Sequence, residues 1–336
     1  MMFSLRSALA AIGEPAHLPL AIPSSFGRRM PASLRQAMDG MTDPAIGQWH
    51  KVGVALSSEN TQLSEEAQGA ATDGARWYVS SNKLKGVVAF DDAGNRAGTF
   101  SPTDALIQKM WEDAGSPAPP PGLSQITPKW LAAMAGGTWA PHFGAPGVFD
   151  GWVHVPVQRP RGVWKFRVDG TDQKWKIAAV LPTDANFASD DLFPWCAVHP
   201  VTGLLYTCNY GTPDRLMAYH RETLQRQPAG DIRLGPAPIF IDRIQGGVFT
   251  KHGRVILVRS DYNAVFCFSS LNGHCFGAKA LGDFGSDGTE VESVAVRSWQ
   301  FDGTRAEVHI LELDNDLPSG DDFYLHSFQV PDPGKL

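Results

Sequence analysis

The chain has 336 residues, 43% hydrophobic and 19% charged, with a formal net charge of −6. That balance is globular and not disordered, and the acidic excess argues against a general nucleic-acid binder. No apolar run approaches the ~18 residues of a membrane span, and the length suits two ordinary domains or one large all-β domain.

Residues 1–44 are rich in Pro, Ala and Ser, lack a sustained period, and are read as an N-terminal arm. The leading run, MMFSLRSALAAIG, is broken by Arg6 and Ser7, so it is expected to be a short helix or irregular leader, not a signal peptide. SLRQAMDGM (33–41) is spaced for one or two helical turns. Strands begin after Trp49 with KVGVAL (51–56). Residues 69–95 then give a strand, the turn Asp73-Gly74, a strand over 76–80, a polar turn through Asn82 and a strand over 86–90. SPTDALIQKMWEDAG (101–115) places Leu106, Ile107, Met110 and Trp111 at helical spacing. TPKWLAAMAGG (127–137) is a second short helix opened by Pro128. This helical and Pro-rich insertion, 101–136, is expected to cover one mouth of the fold.

HFGAPGVFDGWVHVPVQRPRGVWKFRVDG (142–170) holds three alternating strands separated by Asp150-Gly151 and a Pro/Gly turn. The pattern returns at 193–224, 244–273 and 290–330, so five copies start near residues 68, 142, 195, 245 and 292. A period of ~40–50 residues with short antiparallel strands is the mark of propeller blades. The expected fold is therefore all-β, a single β-propeller over 45–336. It has five blades of four-stranded antiparallel sheets, six being the alternative, and strand 51–56 completes the last blade and closes the ring.

The blade openings AQGAATDG (67–74), HFGAPGVFDG (142–151), WCAVHPVTG (195–203) and IQGGVFTKHG (244–253) resemble those of five- and six-bladed propellers. Similar groups are the SMP30/gluconolactonase, strictosidine-synthase-like and glutamine-cyclotransferase-like proteins. The resemblance implies architecture; in the SMP30 group it also implies a divalent metal held by a Glu, an Asn and an Asp near the central channel.

Propeller sites lie at a channel mouth, where each innermost strand begins. The matching positions here are Gln68, His142, Trp195, Gln245 and Glu292. His142 and Glu292 form a candidate acid–base pair. Gln68, Gln245 and Trp195 are candidate substrate-binding residues, Trp195 as an apolar or sugar-stacking wall. Glu290, Glu292, Asn209 and Asp242 are hard oxygen donors suited to Ca²⁺ or another divalent cation, with Glu292, Asn209 and Asp242 as the expected metal set. His199, in a hairpin turn, is expected to be solvated. Trp77, Trp152 and Trp164 alternate on strands and are expected in the core between blades.

No G-x-S-x-G elbow or phosphate-binding loop occurs, so no nucleotide cofactor is expected. Cys196 and Cys208, and Cys267 and Cys275, each fall within one hairpin, which allows two local disulfides or four buried thiols. The expected function is a small-molecule hydrolase or lactonase, with a metal-free lyase or cyclase using a His/Glu pair as alternative. A non-catalytic propeller binding a carbohydrate or protein partner is the third reading. A cytoplasmic location is expected, with a secreted or periplasmic one as alternative.

Overall fold

A computed structural model describes residues 30, 32–43, 48–58, 61, 63–64, 66–84, 86–100, 142–158, 161–169, 172–178, 193–237, 241–260, 262–281, 289–301, 304–316 and 320–336. The expected helices and lid of the 101–136 insertion lie outside these residues, as does most of the arm.

Five four-stranded antiparallel sheets form a five-bladed propeller. Blade 1 contains β2 (Ala67–Thr72), β3 (Trp77–Ser81), β4 (Gly86–Phe90) and β5 (Arg96–Phe100). Blade 2 contains β6 (Gly147–Phe149), β7 (Trp152–Gln158), β8 (Arg161–Asp169) and β9 (Asp172–Ala178). Blade 3 is β10 (Ala197–Val198), β11 (Leu204–Thr207), β12 (Arg215–His220) and β13 (Ile232–Arg233). Blade 4 is β14 (Ile244–Phe249), β15 (Arg254–Arg259), β16 (Ala264–Ser269) and β17 (Cys275–Ala280). Blade 5 takes β18 (Thr289–Phe301), β19 (Thr304–Asp316) and β20 (Gly320–Gln329) from the chain's end and β1 (His50–Ser58) from near its beginning. β1 pairs antiparallel with β20 as the outermost strand, so the early strand closes the ring as its sequence position suggested.

Period-two patterning explains why the sheets stack radially. Successive residues of a strand point to opposite faces, and each face here meets a different neighbouring blade. On β3, Trp77 and Val79 enter the core shared with blade 5, while Tyr78 enters the core shared with blade 2. On β15, Val255 and Leu257 face blade 3, while Ile256 and Val258 face blade 5. Five apolar cores result, one at each blade interface. Trp77 and Trp164 are buried in two of them; Trp152 is only half-buried, beneath the Lys165 ammonium at 4.5 Å.

The expected strand over 143–149 is shorter than its pattern. Phe143 and Ala145 make only single bridges, to Val157 and Trp195, and the ladder starts at Gly147. Pro146 has no N–H to contribute, so it interrupts the pairing. Helix α1 (Ala32–Met41) buries Met38 completely. The two residues after it line the edge of blade 4: the Ala278 N–H donates to Thr42 Oγ1 at 3.1 Å and the Asp43 N–H to the Phe276 carbonyl at 3.0 Å. Part of the arm therefore covers an otherwise open sheet edge. Among the described residues no helix is long and apolar enough to cross a membrane. All four cysteines are free thiols, three of them buried.

Around the axis the innermost strands touch backbone to backbone. A Cβ on Gly69 would lie 2.5 Å from Ala145 Cα, one on Gly144 2.0 Å from the Pro194 carbonyl oxygen, and one on Gly246 2.6 Å from Ser293 Cα. Ser293 Oγ accepts the Ala70 N–H at 2.7 Å and so links blade 5 to blade 1. Overfilling such a contact forces backbone shifts. Gly246→Val is expected to destabilise by about 1–3 kcal/mol in urea unfolding, whereas Gly211→Ala, with open space around it, stays within ~0.5 kcal/mol.

Candidate functional site

The innermost strands β2, β6, β10, β14 and β18 each lie against the innermost strands of the two neighbouring blades. Among the described residues an isolated bridge just ahead of β6 and β10, Ala145 with Trp195, is parallel. The five strand starts therefore gather at one mouth of the channel.

Three of the expected mouth residues share a device. On β2 the register jumps between Ala67 and Gly69, on β14 between Ile244 and Gly246, and on β18 between Val291 and Ser293. Gln68, Gln245 and Glu292 are the extra, unpaired residues of these bulges. A bulge bends its strand and re-aims the side chain it carries. Two residues earlier stand Glu66, Arg243 and Glu290. Glu66 and Arg243 occupy left-handed backbone at φ +57° and +50°, which costs energy outside glycine and concentrates at functional sites. Each is held the same way, its carbonyl accepting the N–H of Asn82 at 3.0 Å or of Ser260 at 3.1 Å. The tetrapeptides Glu66-Ala-Gln-Gly, Arg243-Ile-Gln-Gly and Glu290-Val-Glu-Ser thus build one repeated mouth element in blades 1, 4 and 5.

Glu292 is 2% exposed and Glu290 half-buried. Burial pushes the Glu292 carboxyl well above the ordinary glutamate range, and the Glu290 charge and more distant Glu66 add to it. Burial and the charges of Asp321 and Glu66 also raise Glu290, and its hydrogen bond with Glu292 and the Arg243 charge offset this only in part. Glu292 is therefore the protonated partner and donates to the Glu290 carboxylate. Two carboxyls sharing one proton titrate as a pair. The Gln245 amide donates to Glu292 Oε1 at 3.4 Å. Gln68 is 9% exposed, and its amide makes no hydrogen bond to another described residue.

His142 stands on the blade 2 side of the mouth, half-buried. Its Nδ1 lies 2.7 Å from Asn82 Nδ2, whose amide also donates to Glu66 Oε2 at 3.0 Å. Hydrogen bonds thus run from His142 through Asn82 to Glu66, and the field of Glu66 reaches Glu290 and Glu292.

Trp195 does not wall the mouth. It is fully buried, its Nε1–H donates to Cys208 Sγ at 3.1 Å, and its ring lies 2.8 Å from where a Gly247 Cβ would sit. Its length carries the ring into the core between blades 3 and 4. His199 is not solvated either. It is 2% exposed, its Nδ1 accepts the Val201 and Thr202 N–H groups at 3.1 and 3.3 Å, and its Nε2 reaches Ser270 Oγ at 3.1 Å. It is a turn staple.

The three expected metal ligands fit a divalent cation poorly as they stand. Asp242 Oδ1 is engaged by Arg259 Nη2 at 2.8 Å, and that guanidinium is completely buried. Glu292 holds a proton. Among the described residues no three His, Cys, Asp or Glu side chains are grouped to hold a metal ion. Asn209 keeps a buried Oδ1 with no hydrogen-bond partner among the described residues. Glu66, Arg243 and Asn82 were not among the expected mouth residues. The alignment of the three tetrapeptides carries the signal for the first two; nothing local marks Asn82.

No protein-family model matches the chain, and no curated protein matches it. Solved structures do. The chain is similar to the glutaminyl cyclase of Myxococcus xanthus, with a TM-score of 0.51 at 8% identity, covering 84% of this chain and 97% of that one. A nidogen/laminin complex gives a TM-score of 0.39 at 11% identity over 75% of this chain and 76% of that one. Hydrazine synthase of Kuenenia stuttgartiensis gives 0.38 at 9% identity over 76% and 64%. At these identities the likeness is one of fold, a β-propeller.

The proton on Glu292 makes stability depend on pH. Its folded pKa lies above the unfolded value of ~4.3, so the folded state holds the extra proton between the two. Its contribution is complete below the unfolded value and is lost as pH rises toward the raised one. Melting midpoints measured against pH should show a smaller decline across that interval in Glu292→Gln than in the parent chain. Identical slopes would place the proton elsewhere.

Proposed function

We propose that the channel mouth is a metal-free acid–base site of the lyase or cyclase class, acting on a small polar molecule through the Glu290–Glu292 pair. The observation that carries this reading is the burial of Glu292 on a strand bulge with a second carboxyl beside it. A protonated and an ionised carboxyl in contact supply an acid and a base in one place, which is how two identical side chains take opposite roles. Glu290, half-buried and ionised, accepts a proton from the substrate. Glu292, neutral, relays one. Gln245 steadies Glu292, and the unspent amide of Gln68 offers both a donor and an acceptor to the ligand. The Myxococcus neighbour is a cyclase, which is compatible with this class, but the carboxyl pair carries the argument.

A divalent-metal hydrolase or lactonase is the second reading, and the buried, unpartnered Oδ1 of Asn209 is what favours it. Turnover assays of the purified chain on δ-lactones, aryl esters and small carboxamides, with and without EDTA, separate the two. The acid–base reading expects turnover that EDTA leaves unchanged. Glu290→Gln and Glu292→Gln should each lower kcat by roughly 10²-fold or more. Loss of turnover in EDTA favours the metal reading. Turnover indifferent to both substitutions removes the carboxyl pair from the chemistry.

A further inference from the structure

We infer that Asn82 locks His142 as the Nε2–H tautomer, so that His142 enters the mouth as a hydrogen-bond donor and not as a base. Asn82 follows β3, and its amide orientation is fixed from two sides. The Phe143 backbone N–H donates to Asn82 Oδ1 at 2.7 Å. Exchanging the amide oxygen and nitrogen would face that N–H with a second donor. The same exchange would set an oxygen against Glu66 Oε2, now 3.0 Å from Nδ2. Amide orientations are commonly ambiguous, but here the surrounding network decides this one.

Nδ2 carries two hydrogens and no lone pair to give. One hydrogen goes to Glu66 Oε2, and the other points at His142 Nδ1, 2.7 Å away. Nδ1 must therefore be the bare nitrogen, and the neutral ring carries its hydrogen on Nε2. The partner of one ring nitrogen sets the state of the other. Blade 4 shows that the turn alone does not make this link. Ser260 stands at the equivalent place and repeats the backbone bond, to Arg243, yet its buried Oγ has no hydrogen-bond partner among the described residues.

The consequence reassigns a role. An Nε2–H cannot take a proton from a ligand; it can donate to an oxygen on which negative charge develops. Proton abstraction is left to the carboxyl pair on the other side of the mouth. That division rests on the acid–base reading above, whereas the tautomer does not. Asn82 touches no substrate in this scheme and is a positioning residue.

The test uses the full chain labelled with ¹⁵N and needs no ligand. Imidazole ¹H–¹⁵N spectra at neutral pH, with His142 assigned by the signals lost in His142→Gln, report each ring nitrogen. The expected result is a pyridine-type Nδ1 and a pyrrole-type Nε2. Asn82→Asp, whose carboxylate can only accept, should switch the pattern to a protonated Nδ1. Asn82→Ala should give a mixture. Circular dichroism and the melting midpoint check that each variant is folded; if neither variant folds, the parent spectrum decides alone. A protonated Nδ1 in the parent chain overturns the inference, as does a folded Asn82→Asp whose His142 signals do not move. Either failure leaves the carboxyl pair standing, and failure of the Glu290→Gln and Glu292→Gln assays leaves the tautomer standing.

Discussion

The close approach of the five innermost strands governs the rest of the molecule. Each blade is a wedge, and a ring of five brings the inner edges to backbone contact. Only small residues fit there, which is why Gly69, Gly144, Gly246 and Ser293 occupy the contacts. In blades 1, 4 and 5 the small residue directly follows the bulged one. The two features belong together. Without the extra residue, the long polar side chain and the small contact residue would have to alternate regularly between the two faces. With it, the small residue meets the neighbouring blade while Gln68, Gln245 or Glu292 is aimed separately. The packing of the ring and the placement of the mouth's polar groups are thus one piece of backbone geometry.

Charge at the mouth follows from that geometry. Three bulges bring Glu66, Arg243 and Glu290 two residues upstream, so two acids and one base converge from three blades. Glu66 adds repulsion to both Glu292 and Glu290, Asp321 adds more to Glu290, and Arg243 partly offsets this at Glu290. Burial raises both carboxyls, Glu292 the more because it is the more deeply buried, and their hydrogen bond, which raises Glu292 and lowers Glu290, makes them unequal. An acid and a base from two identical side chains require that inequality.

Most of the architecture was legible in the alternation of strands such as Arg215–His220 and Gly86–Phe90 and in turns such as Asp73-Gly74. Each blade obeys local rules, and the repeat near ~50 residues pointed to five blades, with six as the alternative. The direction of a mouth residue was not legible. Trp195 and Gln245 stand at matching positions after a blade boundary, yet one ring is buried against Gly247 and the other amide reaches Glu292. Period two states which residues share a face; it does not state whether that face meets a blade or the channel. Bulges decide this, and a bulge leaves only a long polar residue followed by a small one as its trace. Asn82 left no trace, because its side-chain partners lie 16, 60 and 61 residues away.

Histidine burial shows why partners and not environment identify a working group. His154, His199, His309 and His326 are all more buried than His142. Burial drives His154 down to about 3 and His309 to about 4. Such values resemble those of tuned catalytic groups, yet His309 is accounted for by structure. Its Nε2 donates to the Arg297 carbonyl at 3.0 Å, its Nδ1 meets Ser327 Oγ at 3.0 Å, and Trp77 packs edge-on against its ring. Both of its nitrogens are committed inside blade 5. His199 is committed in the same manner by its turn and by Ser270. His142 differs in kind. It is only half-buried at a mouth where two carboxyls share a proton, and its Nδ1 is fixed by an amide that is itself anchored to Phe143 and Glu66. A perturbed pKa measures how far a group has been taken from water; the state of each ring nitrogen measures what the group can still do.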